Sequence, residues 1–386
     1  MQNFRFYNPT QILFGQGQIE HLAVEILKHG RKVLFVYGKG SIKKTGIYAE
    51  VVRQLNQHAI PFVELGGVDP NPRISTVRQG AQLCREHQID FILAVGGGST
   101  IDCSKAIAAA ALYDGDPWDF WCGKATIRHA LPIGSVLTLS ATGSEMNSGT
   151  VISNEETLEK TGSGGDALFP RFSILDPAYT FTVPADQTAA GVVDIMTHVY
   201  EFYFSREQFA TLTDSISEMI LKTCIHYGPI AIAEPQNYEA RANLMWASSL
   251  ALNGTIKVGK SFDGFNHLTE HALSAVYDIT HGVGLAILAP YWMEYVLDAE
   301  TAPALAAFAR NVWDVSIADN FEAAREGIRR TRQFYTSMGM PQRLGQVGIG
   351  ADRLDEIVEK AVGTRTIGSL KPLTPADIHR ILVLAL

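Results

Sequence analysis

The sequence predicts an α/β domain with a parallel, doubly wound sheet, followed by an all-helical domain. The first half of the chain repeatedly presents a short β-branched or aromatic run, then a glycine-rich turn, then a helical pattern, and this alternation is typical of βαβ folds. Between residues 185 and 310, long apolar-periodic segments rich in Ala, Leu and Met replace the strand signals. The length of 386 residues suits two domains, each large enough to bury a core.

Five segments carry the strand signals of the first domain. In chain order they are KVLFVYGKGSIKKTG at 32–46, IPFVELGG at 60–67, DFILAVGGGSTIDCSKAIAAAAL at 90–112, SVLTLS at 135–140 and FSILDP at 172–177. Strands joined by helical crossovers run parallel, so a doubly wound sheet is expected. Pro184 suits the boundary between the domains, because proline cannot continue a central strand and readily begins a helix. The predicted domains are therefore residues 1–183 and 184–386.

The composition excludes several classes of partner. Apolar residues make up 46 % of the chain and charged residues 19 %, with a net charge of −8, so no broad basic face is available to nucleic acid or an anionic membrane. The N-terminus lacks the plan of a signal peptide, and no run approaches the ~18 apolar residues of a membrane helix. Four scattered cysteines without a CxxC pair argue against disulfides and a thiolate zinc site. A cytoplasmic protein is expected.

Two glycine-rich turns indicate a nucleotide site. In AVGGGSTIDCSK, at 94–105, the strand ends at Val95, three glycines let the backbone approach a ligand, and Ser99 or Thr100 caps a helix whose free N–H groups suit a pyrophosphate. A tight turn without a ligand is an equal alternative for this glycine run alone. TLSATGSEMN, at 138–147, again follows a strand, so two polar loops are expected to flank one cleft at the carboxyl ends of the strands.

The end of the first long strand favours NADP(H) over NAD(H). NAD-binding βαβ folds often place an acidic residue there to bind the ribose 2′-hydroxyl, whereas a 2′-phosphate requires donors instead. This chain has Gly38 at that point, followed by Lys39, Ser41, Lys43 and Lys44. A solvated lysine pair at a helix start is the alternative interpretation.

A carboxylate and four histidines indicate a metal site. Asp194 and His198 are spaced i, i+4, as are His267 and His271, so each pair lies on one helical face. His281 follows ten residues after His271, and the intervening YDITHG predicts that the helix ends first and a loop returns the imidazole. This donor set suits Fe²⁺ or Zn²⁺, because burying five such groups without a shared partner would be costly. The spacing leaves open which four of the five bind the ion.

These motifs resemble the iron-containing, or group III, alcohol dehydrogenases. The resemblance runs through FGQG, DPNP, AVGGGSTIDCSK, TLSATGSE, LDP, DIMTH and NHLTEHALSAVYDITHG, so it spans most of the chain. It implies a dehydroquinate-synthase-like fold, in which a Rossmann-like nucleotide-binding domain precedes a helical metal-binding domain, and it implies a homodimer. YGKGSIKKTG and GVVDIMTHVYEFY look most like the NADP-dependent aldehyde reductases and butanol dehydrogenases. Many members read GTGSE where this chain has ATGSE at 141–145.

The resemblance also implies a role for individual residues. The metal ligands would be Asp194, His198, His267 and His281, while His271 would be a catalytic residue that moves protons or contacts substrate without binding the ion. The residues implied for the cofactor are Gly38, Ser41, Asn71, Gly97, Gly98, Ser99, Asp102, Thr138, Ser140, Asn147 and Lys160. Which of Gly40, Ser41, Lys43 and Lys44 contacts a 2′-phosphate is left open.

Residues and resemblance together predict a metal-dependent NADP(H) alcohol dehydrogenase, acting mainly as an aldehyde reductase on short to medium aliphatic aldehydes such as butanal. One alternative is a polyol dehydrogenase or a dehydroquinate-synthase-like lyase. The lyase requires a basic pocket for its anionic substrate, and around 194–201 and 262–284 the only basic side chains are histidines. The other alternative is a non-catalytic nucleotide sensor with a closed, structural metal site.

Overall fold

A six-stranded parallel sheet lies at the centre of the N-terminal half in the computed structural model, which describes residues 1–386. The strands of the chain are β1 Gln11–Phe14, β2 Val33–Gly38, β3 Phe62–Val68, β4 Phe91–Gly96, β5 Ile133–Leu137, β6 Gly149–Asn154, β7 Glu159–Gly164 and β8 Phe172–Leu175. The order in the sheet is β1-β8-β5-β4-β2-β3. Since β3 lies on one side of β2 and β4 on the other, the direction of winding reverses between β2 and β4.

Helices cover both faces of this sheet. The helices of this half are α1 Leu22–Leu27, α2 Ser41–Lys44, α3 Ile47–Gln57, α4 Ile74–Glu86 and α5 Gly98–Ala110. Alternation along β2 explains the two layers: Phe35 packs in a core that contains residues of α1 and α3, whereas Leu34 packs in a core that contains residues of α4 and α5. All five residues from 33 to 37 are buried, as expected for a parallel strand covered on both faces. The predicted doubly wound sheet is therefore confirmed.

Three strands were missed by the sequence prediction: β1, which joins one end of the main sheet, and the pair β6 and β7. β6 and β7 form an antiparallel hairpin outside the main sheet, with Gly149 opposite Gly164 and Asn154 opposite Glu159. The second strand, EKTGSG, has no apolar residue and is exposed or half-buried throughout, so it carries no strand pattern. β6 is anchored by burial, with Ile152 in the core, whereas β7 depends on backbone pairing with β6 and on the turn at 155–158.

The second half of the chain is helical, as predicted. Its helices are α6 Ala185–Tyr203, α7 Thr211–Ala233, α8 Tyr238–Leu252, α9 Phe265–Tyr277, α10 His281–Val296, α11 Ala302–Trp313, α12 Asn320–Ser337, α13 Leu354–Val362 and α14 Pro375–Ala385. Pro184 immediately precedes α6 with an extended backbone and ends the preceding segment. α6 is buried from Thr188 to Glu201 because it packs against α7, α9 and α10. None of the helices is long and apolar enough to cross a membrane.

The chain forms two compact units. One consists of Tyr7–Val183 and Gln236–Ser249 and contains both sheets, so we call it the α/β unit. The other consists of Met1–Phe6, Pro184–Pro235 and Leu250–Leu386, and we call it the helical unit. Compared with a single division after residue 183, two short segments change sides: the first six residues and most of α8.

Candidate metal and cofactor site

Three histidine rings of the helical unit surround one carboxylate oxygen, Oδ1 of Asp194. Asp194 and His198 lie one turn apart on α6, His267 lies on α9, and His281 is the first residue of α10. The Oδ1 atom of Asp194 lies 3.4 Å from His198 Nδ1, 3.7 Å from His267 Nε2 and 3.6 Å from His281 Nε2. Bonds of about 2.0–2.2 Å in a tetrahedral shell separate neighbouring donors by roughly 3.4 Å, so each of these spacings from Asp194 fits a shared cation. Donor atoms of Asp194, His267 and His281 all lie within 4.8 Å of one another, whereas His198 is linked to this group by its distance to Asp194.

Buried donors without partners give an independent test of the fit. Asp194 Oδ1, His198 Nδ1 and His267 Nε2 are all buried, and none of them has a hydrogen-bond partner within the protein. Leaving such atoms unpaired costs about 1–3 kcal/mol each unless a ligand satisfies them. Since carboxylate and imidazole donors together suit Fe²⁺ or Zn²⁺, this donor set fits a divalent cation.

The electrostatics of the cluster favour an ionised carboxylate and differ between its imidazoles. Burial alone would raise the pKa of Asp194, but the neighbouring His198, His281 and His267 outweigh it and hold that pKa below its usual range. Burial lowers the pKa of His198 to about 3 against the opposing charge of Asp194. For His267, burial is outweighed by hydrogen bonds to Asp194 and Glu201, which raise the pKa to about 9, so a cation held there would compete with a proton.

Two buried carboxylates that the sequence analysis missed hold the outer nitrogens of these rings. Glu201 Oε1 accepts hydrogen bonds from the ring Nδ1 and the backbone N–H of His267, both at 2.9 Å. Glu270 is fully buried and pairs through Oε2 with Nδ1 of His281. Such carboxylate–imidazole pairs fix the ring orientation and make the inner nitrogen a better ligand. The sequence carries no signal for these pairs: HVYE at 198–201 and HLTE at 267–270 place each glutamate one turn after a different histidine from the one that it contacts.

The approach of His281 differs in one respect from the prediction. α9 does end first, with Asp278 in the left-handed region at φ 53°, but His281 then begins α10 instead of lying in a loop. The following Gly282 permits this placement, since a Cβ atom there would lie 2.2 Å from the backbone oxygen of Ala190 in α6. α10 therefore starts in direct contact with the helix that carries Asp194.

His271 lies beside this cluster and is half-buried. Its ring centroid is 5.5 Å from that of His281 and 6.3 Å from that of His267. Donor atoms of Glu270, His271 and His281 also lie within 4.8 Å of one another. His271 thus lies beside the group around Asp194 Oδ1 without belonging to it.

In the α/β unit, the residues implied for the cofactor lie at the carboxyl ends of four neighbouring strands. Gly38 is the last residue of β2 and Ser41 follows it, Asn71 follows β3, Gly97, Gly98, Ser99 and Asp102 follow β4, and Thr138, Ser140 and Asn147 follow β5. Lys160 is the exception, because it lies in the β6–β7 hairpin. The reversal of winding between β2 and β4 falls within this set, and open α/β sheets bind ligands at such a point.

The two glycine-rich loops, which the sequence predicts on either side of one cleft, are in direct contact. The backbone N–H of Thr138 donates to the carbonyl of Gly96 at 3.0 Å, which continues the pairing of β5 with β4. A Cβ atom at Gly98 would lie 2.2 Å from Oγ1 of Thr142, so only glycine allows this approach. Gly98 is also the first residue of α5, a helix of 13 residues whose free N–H groups and dipole suit an anion. The strand-end glycines and this helix start fit a pyrophosphate.

Several donors expected near Gly38 already have partners. Nζ of Lys39 lies 2.6 Å from Oδ1 of Asp69, and Nζ of Lys43 lies over the rings of Tyr37 and Tyr48 at 4.9 and 4.6 Å. Ser41 is exposed at the start of α2. Gly38 itself adds no charge to this end of the sheet.

Asp102 and Asn147 are engaged within the protein. The carboxylate of Asp102 accepts from the hydroxyl of Ser144 at 2.5 Å and from the backbone N–H of Val151 at 2.8 Å. The amide of Asn147 accepts from Gly149 N at 2.9 Å and donates to the carbonyl of Gly143 at 3.0 Å. Both side chains therefore shape the loop after β5.

Comparison with known proteins gives matches over nearly the whole chain. The family model described as iron-containing alcohol dehydrogenase matches residues 9–177, and the model described as Fe-containing alcohol dehydrogenase family, C-terminal, matches residues 188–386. Together they include every residue of the two clusters described above.

Individual relatives are also similar over their full length. NADH-dependent butanol dehydrogenase A of Clostridium acetobutylicum is 53 % identical over 384 residues, which is 99 % of each chain. NADPH-dependent aldehyde reductase YqhD of Escherichia coli is 40 % identical over 363 residues, which is 93 % of each chain. Among solved structures, NADH-dependent butanol dehydrogenase A from Thermotoga maritima has a TM-score of 0.96 and 42 % identity, covering 100 % of this chain and 99 % of its own.

Proposed function

Because this chain belongs to the iron-containing alcohol dehydrogenase family, we propose that it reduces short to medium aliphatic aldehydes to primary alcohols with NADPH. Its general activity is that of an alcohol dehydrogenase or aldehyde reductase, which uses a nicotinamide cofactor and a divalent metal. The aldehyde class, the phosphorylated cofactor and the residues that bind each group are the proposal.

One observation of the helical unit supports the proposed metal site above all others. Buried donors on Asp194, His198 and His267 lack any partner, and His281 presents a further nitrogen 3.6 Å from the same carboxylate oxygen. We assign the cation, Fe²⁺ or Zn²⁺, to these four side chains. A shell of one carboxylate and three imidazoles leaves net positive charge on the site, which suits an oxygen that becomes negative during the reaction.

In the proposed reaction, the nicotinamide and the cation supply the chemistry, and the side chains of the protein position them and transfer a proton. When bound, the nicotinamide supplies or accepts hydride, and the cation acts as a Lewis acid on the carbonyl or alcohol oxygen. Glu201 and Glu270 fix the rings of His267 and His281 through their Nδ1 atoms. The imidazole of His271 lies beside that of His281 and is not one of the rings around Asp194 Oδ1. It provides a proton for the oxygen of the alcohol product.

The proposed preference for NADPH is supported by Gly38 and by the basic side chains after β2. Without a carboxylate at Gly38, a 2′-phosphate meets no repulsion from that position. Of the lysines that follow, Lys39 pairs with a carboxylate and Lys43 lies over two tyrosine rings. Lys44 and the exposed Ser41 are therefore the donors left for the phosphate. The names of the relatives differ: four proteins that are 47–53 % identical are named as NADH-dependent or probably so, and the 40 % identical one as NADPH-dependent.

We also propose a homodimer that forms through the N-terminal segment. β1 lies at one end of the sheet and pairs only with β8, so its outer edge is open. In the residues that precede it, Phe4, Phe6 and Tyr7 are 54 %, 52 % and 48 % exposed. Aromatic side chains clustered on a surface in this way are typical of an interface.

The test of the function is the initial rate of cofactor oxidation with butanal, measured with NADPH and with NADH. Protein loaded with Fe²⁺ or with Zn²⁺ is compared with the same protein after chelation. We expect rapid turnover that chelation abolishes, with a higher kcat/KM for NADPH. A higher kcat/KM for NADH would reject the cofactor assignment alone, whereas turnover that survives removal of the metal would reject the mechanism.

A further inference from the structure

A lysine of the α/β unit is buried at the centre of the cofactor loops. Lys105, on the third turn of α5, has no exposed surface. Its Nζ atom lies 2.9 Å from Ser144 Oγ, 2.8 Å from the carbonyl of Asn147, 3.0 Å from Asn147 Oδ1 and 2.9 Å from the carbonyl of Gly149. A single ammonium group thus meets four oxygen atoms of one loop.

The same loop is attached to α5 by a second group, one turn earlier. Asp102 accepts a hydrogen bond from Ser144, the residue that also accepts from Lys105, and its backbone carbonyl accepts from Thr150 Oγ1 at 2.8 Å. Ser144 therefore bridges a carboxylate and an ammonium group that both belong to α5. The helix that begins at the glycine turn and the loop that follows β5 are held together at these contacts.

The charges around Lys105 are unusual for the interior of a protein. Burial lowers the pKa of Lys105 to about 8, against the opposing charges of Asp102 and Glu145. Glu145 is itself fully buried and accepts from Ser249 at 2.5 Å. Burying charges costs several kcal/mol per ion even when they are paired, so this arrangement is retained for something other than stability.

We propose that Lys105 is a positioning residue for the nicotinamide nucleotide, which holds the loop 143–149 against α5 so that the two glycine-rich loops keep the spacing the cofactor requires. The proposal rests on the proposed function. The family resemblance places Asn147 at the cofactor. We expect Asn147 to act through the loop that Lys105 holds, because its side-chain amide is hydrogen-bonded to Lys105, Gly143 and Gly149. The ammonium charge also offsets the nearby carboxylates, which would otherwise repel a pyrophosphate at the start of α5.

The test compares Lys105→Met with a matched control in the helical unit. Lys260 is also a buried lysine, with its Nζ 2.7 Å from Asp214, so Lys260→Met removes a buried ammonium group that belongs to the helical unit and has no hydrogen bond or ion pair with loop 143–149. Dissociation constants for NADPH and NADH are measured by fluorescence titration of the metal-loaded proteins. Circular dichroism establishes the fraction folded, and kcat is measured at saturating cofactor.

We expect both variants to be less stable, but only Lys105→Met to bind the preferred nucleotide at least 10-fold more weakly, with kcat at saturation within about 3-fold of the wild type. Equal affinities in Lys105→Met and the wild type, or equal losses in both variants, would overturn the proposal. If Lys105→Met does not fold, Ser144→Ala removes one of the lysine's acceptors and should weaken binding about 3-fold; unchanged binding there also overturns it. A wild-type protein that binds neither nucleotide contradicts the proposed function instead.

Discussion

At the scale of single residues, two of the three histidines proposed as metal ligands are held in place by other groups of the protein. His267 and His281 each pair with a buried glutamate through Nδ1, which leaves Nε2 directed toward Asp194. His198 has no such partner, and its Nδ1 is one of the buried donors without a hydrogen bond. Ring orientation at two of the three histidines is thus independent of the cation.

Substitution of His281 and of His271 should separate binding of the metal from catalysis. His281→Ala removes a nitrogen 3.6 Å from Asp194 Oδ1, so we expect the purified protein to lose its ion. His271→Ala should retain about one equivalent of metal while kcat falls by about 10²–10⁴-fold, the usual contribution of general acid–base catalysis. Metal content by atomic spectroscopy, measured beside the rate, distinguishes the two effects. Metal-free His271→Ala together with metal-loaded His281→Ala would reverse the assignment of the ligands.

The sequence allowed prediction of residues that share a helical face, but not of those whose partners lie on another element. Asp194 and His198 are one turn apart, so their spacing alone predicts a shared ligand. Glu201 pairs instead with a histidine 66 residues later, and Lys105 with a loop about 40 residues later. Sequence spacing carries no information about such distant pairs. A lysine in an Ala-rich helix is moreover expected to be exposed, whereas Lys105 is fully buried.

At the scale of secondary structure elements, the contact between α10 and α6 controls the position of His281. Gly282→Ala would place a methyl group against the backbone of Ala190, which cannot move without shifting α6. We expect a loss of about 1–3 kcal/mol of stability from overpacking, and at least 10-fold weaker metal binding because His281 is displaced. Competition with a fluorescent chelator measures the affinity.

Gly228→Ala in α7 is the matched control for this prediction. A Cβ atom at Gly228 would also meet α6, but at 3.2 Å from a methyl group of the Val192 side chain instead of at the backbone. That side chain is able to adjust, and alanine favours a helix by up to about 1 kcal/mol over glycine. Metal affinity should therefore stay at the wild-type value. If both variants bind metal equally well, the close contact at Gly282 does not position His281.

The periodicity of apolar residues allowed prediction of the elements that bury an apolar face. It failed for elements whose structure does not depend on burying apolar side chains. The parallel strands have continuous apolar runs because helices cover both faces, and the sequence shows those runs directly. β7 has none, so its pairing with β6 left no pattern to find. The first turn of α10 was missed for a related reason. Its sequence, THGVG at 280–284, is typical of a loop, yet the two glycines allow α10 to pack closely against neighbouring helices.

At the scale of the whole molecule, the two units divide the chemistry between them. The α/β unit contains every residue assigned to the nucleotide, and the helical unit contains every residue assigned to the metal. A change confined to one unit is therefore expected to affect one ligand first. The contrast between Lys105→Met and Lys260→Met depends on this division.

The proposed homodimer gives the prediction at this scale. The chain has a mass of 42.2 kDa, so sedimentation should give about twice that value. Phe4→Asp combined with Phe6→Asp places charges on the exposed aromatic segment, and we expect this variant to sediment as a monomer. Leu112→Asp is the control, because Leu112 is 54 % exposed, as Phe4 is, and follows α5 in the α/β unit, so this charge should leave the dimer intact. A monomeric wild type, or a double variant that remains dimeric, would refute the proposed interface.

The carboxylates behind His267 and His281 have a consequence for exchange of the metal. Since Glu201 and Glu270 hold these two rings in place, we expect both rings to keep their orientation in the metal-free protein. A new ion would then bind without any refolding of α9 or α10. Such an apoprotein is reloadable: an ion lost to oxidation or to a chelator is replaced from whatever divalent metal the surroundings supply. The metal found in the purified enzyme would then record the growth medium as much as the ligand set.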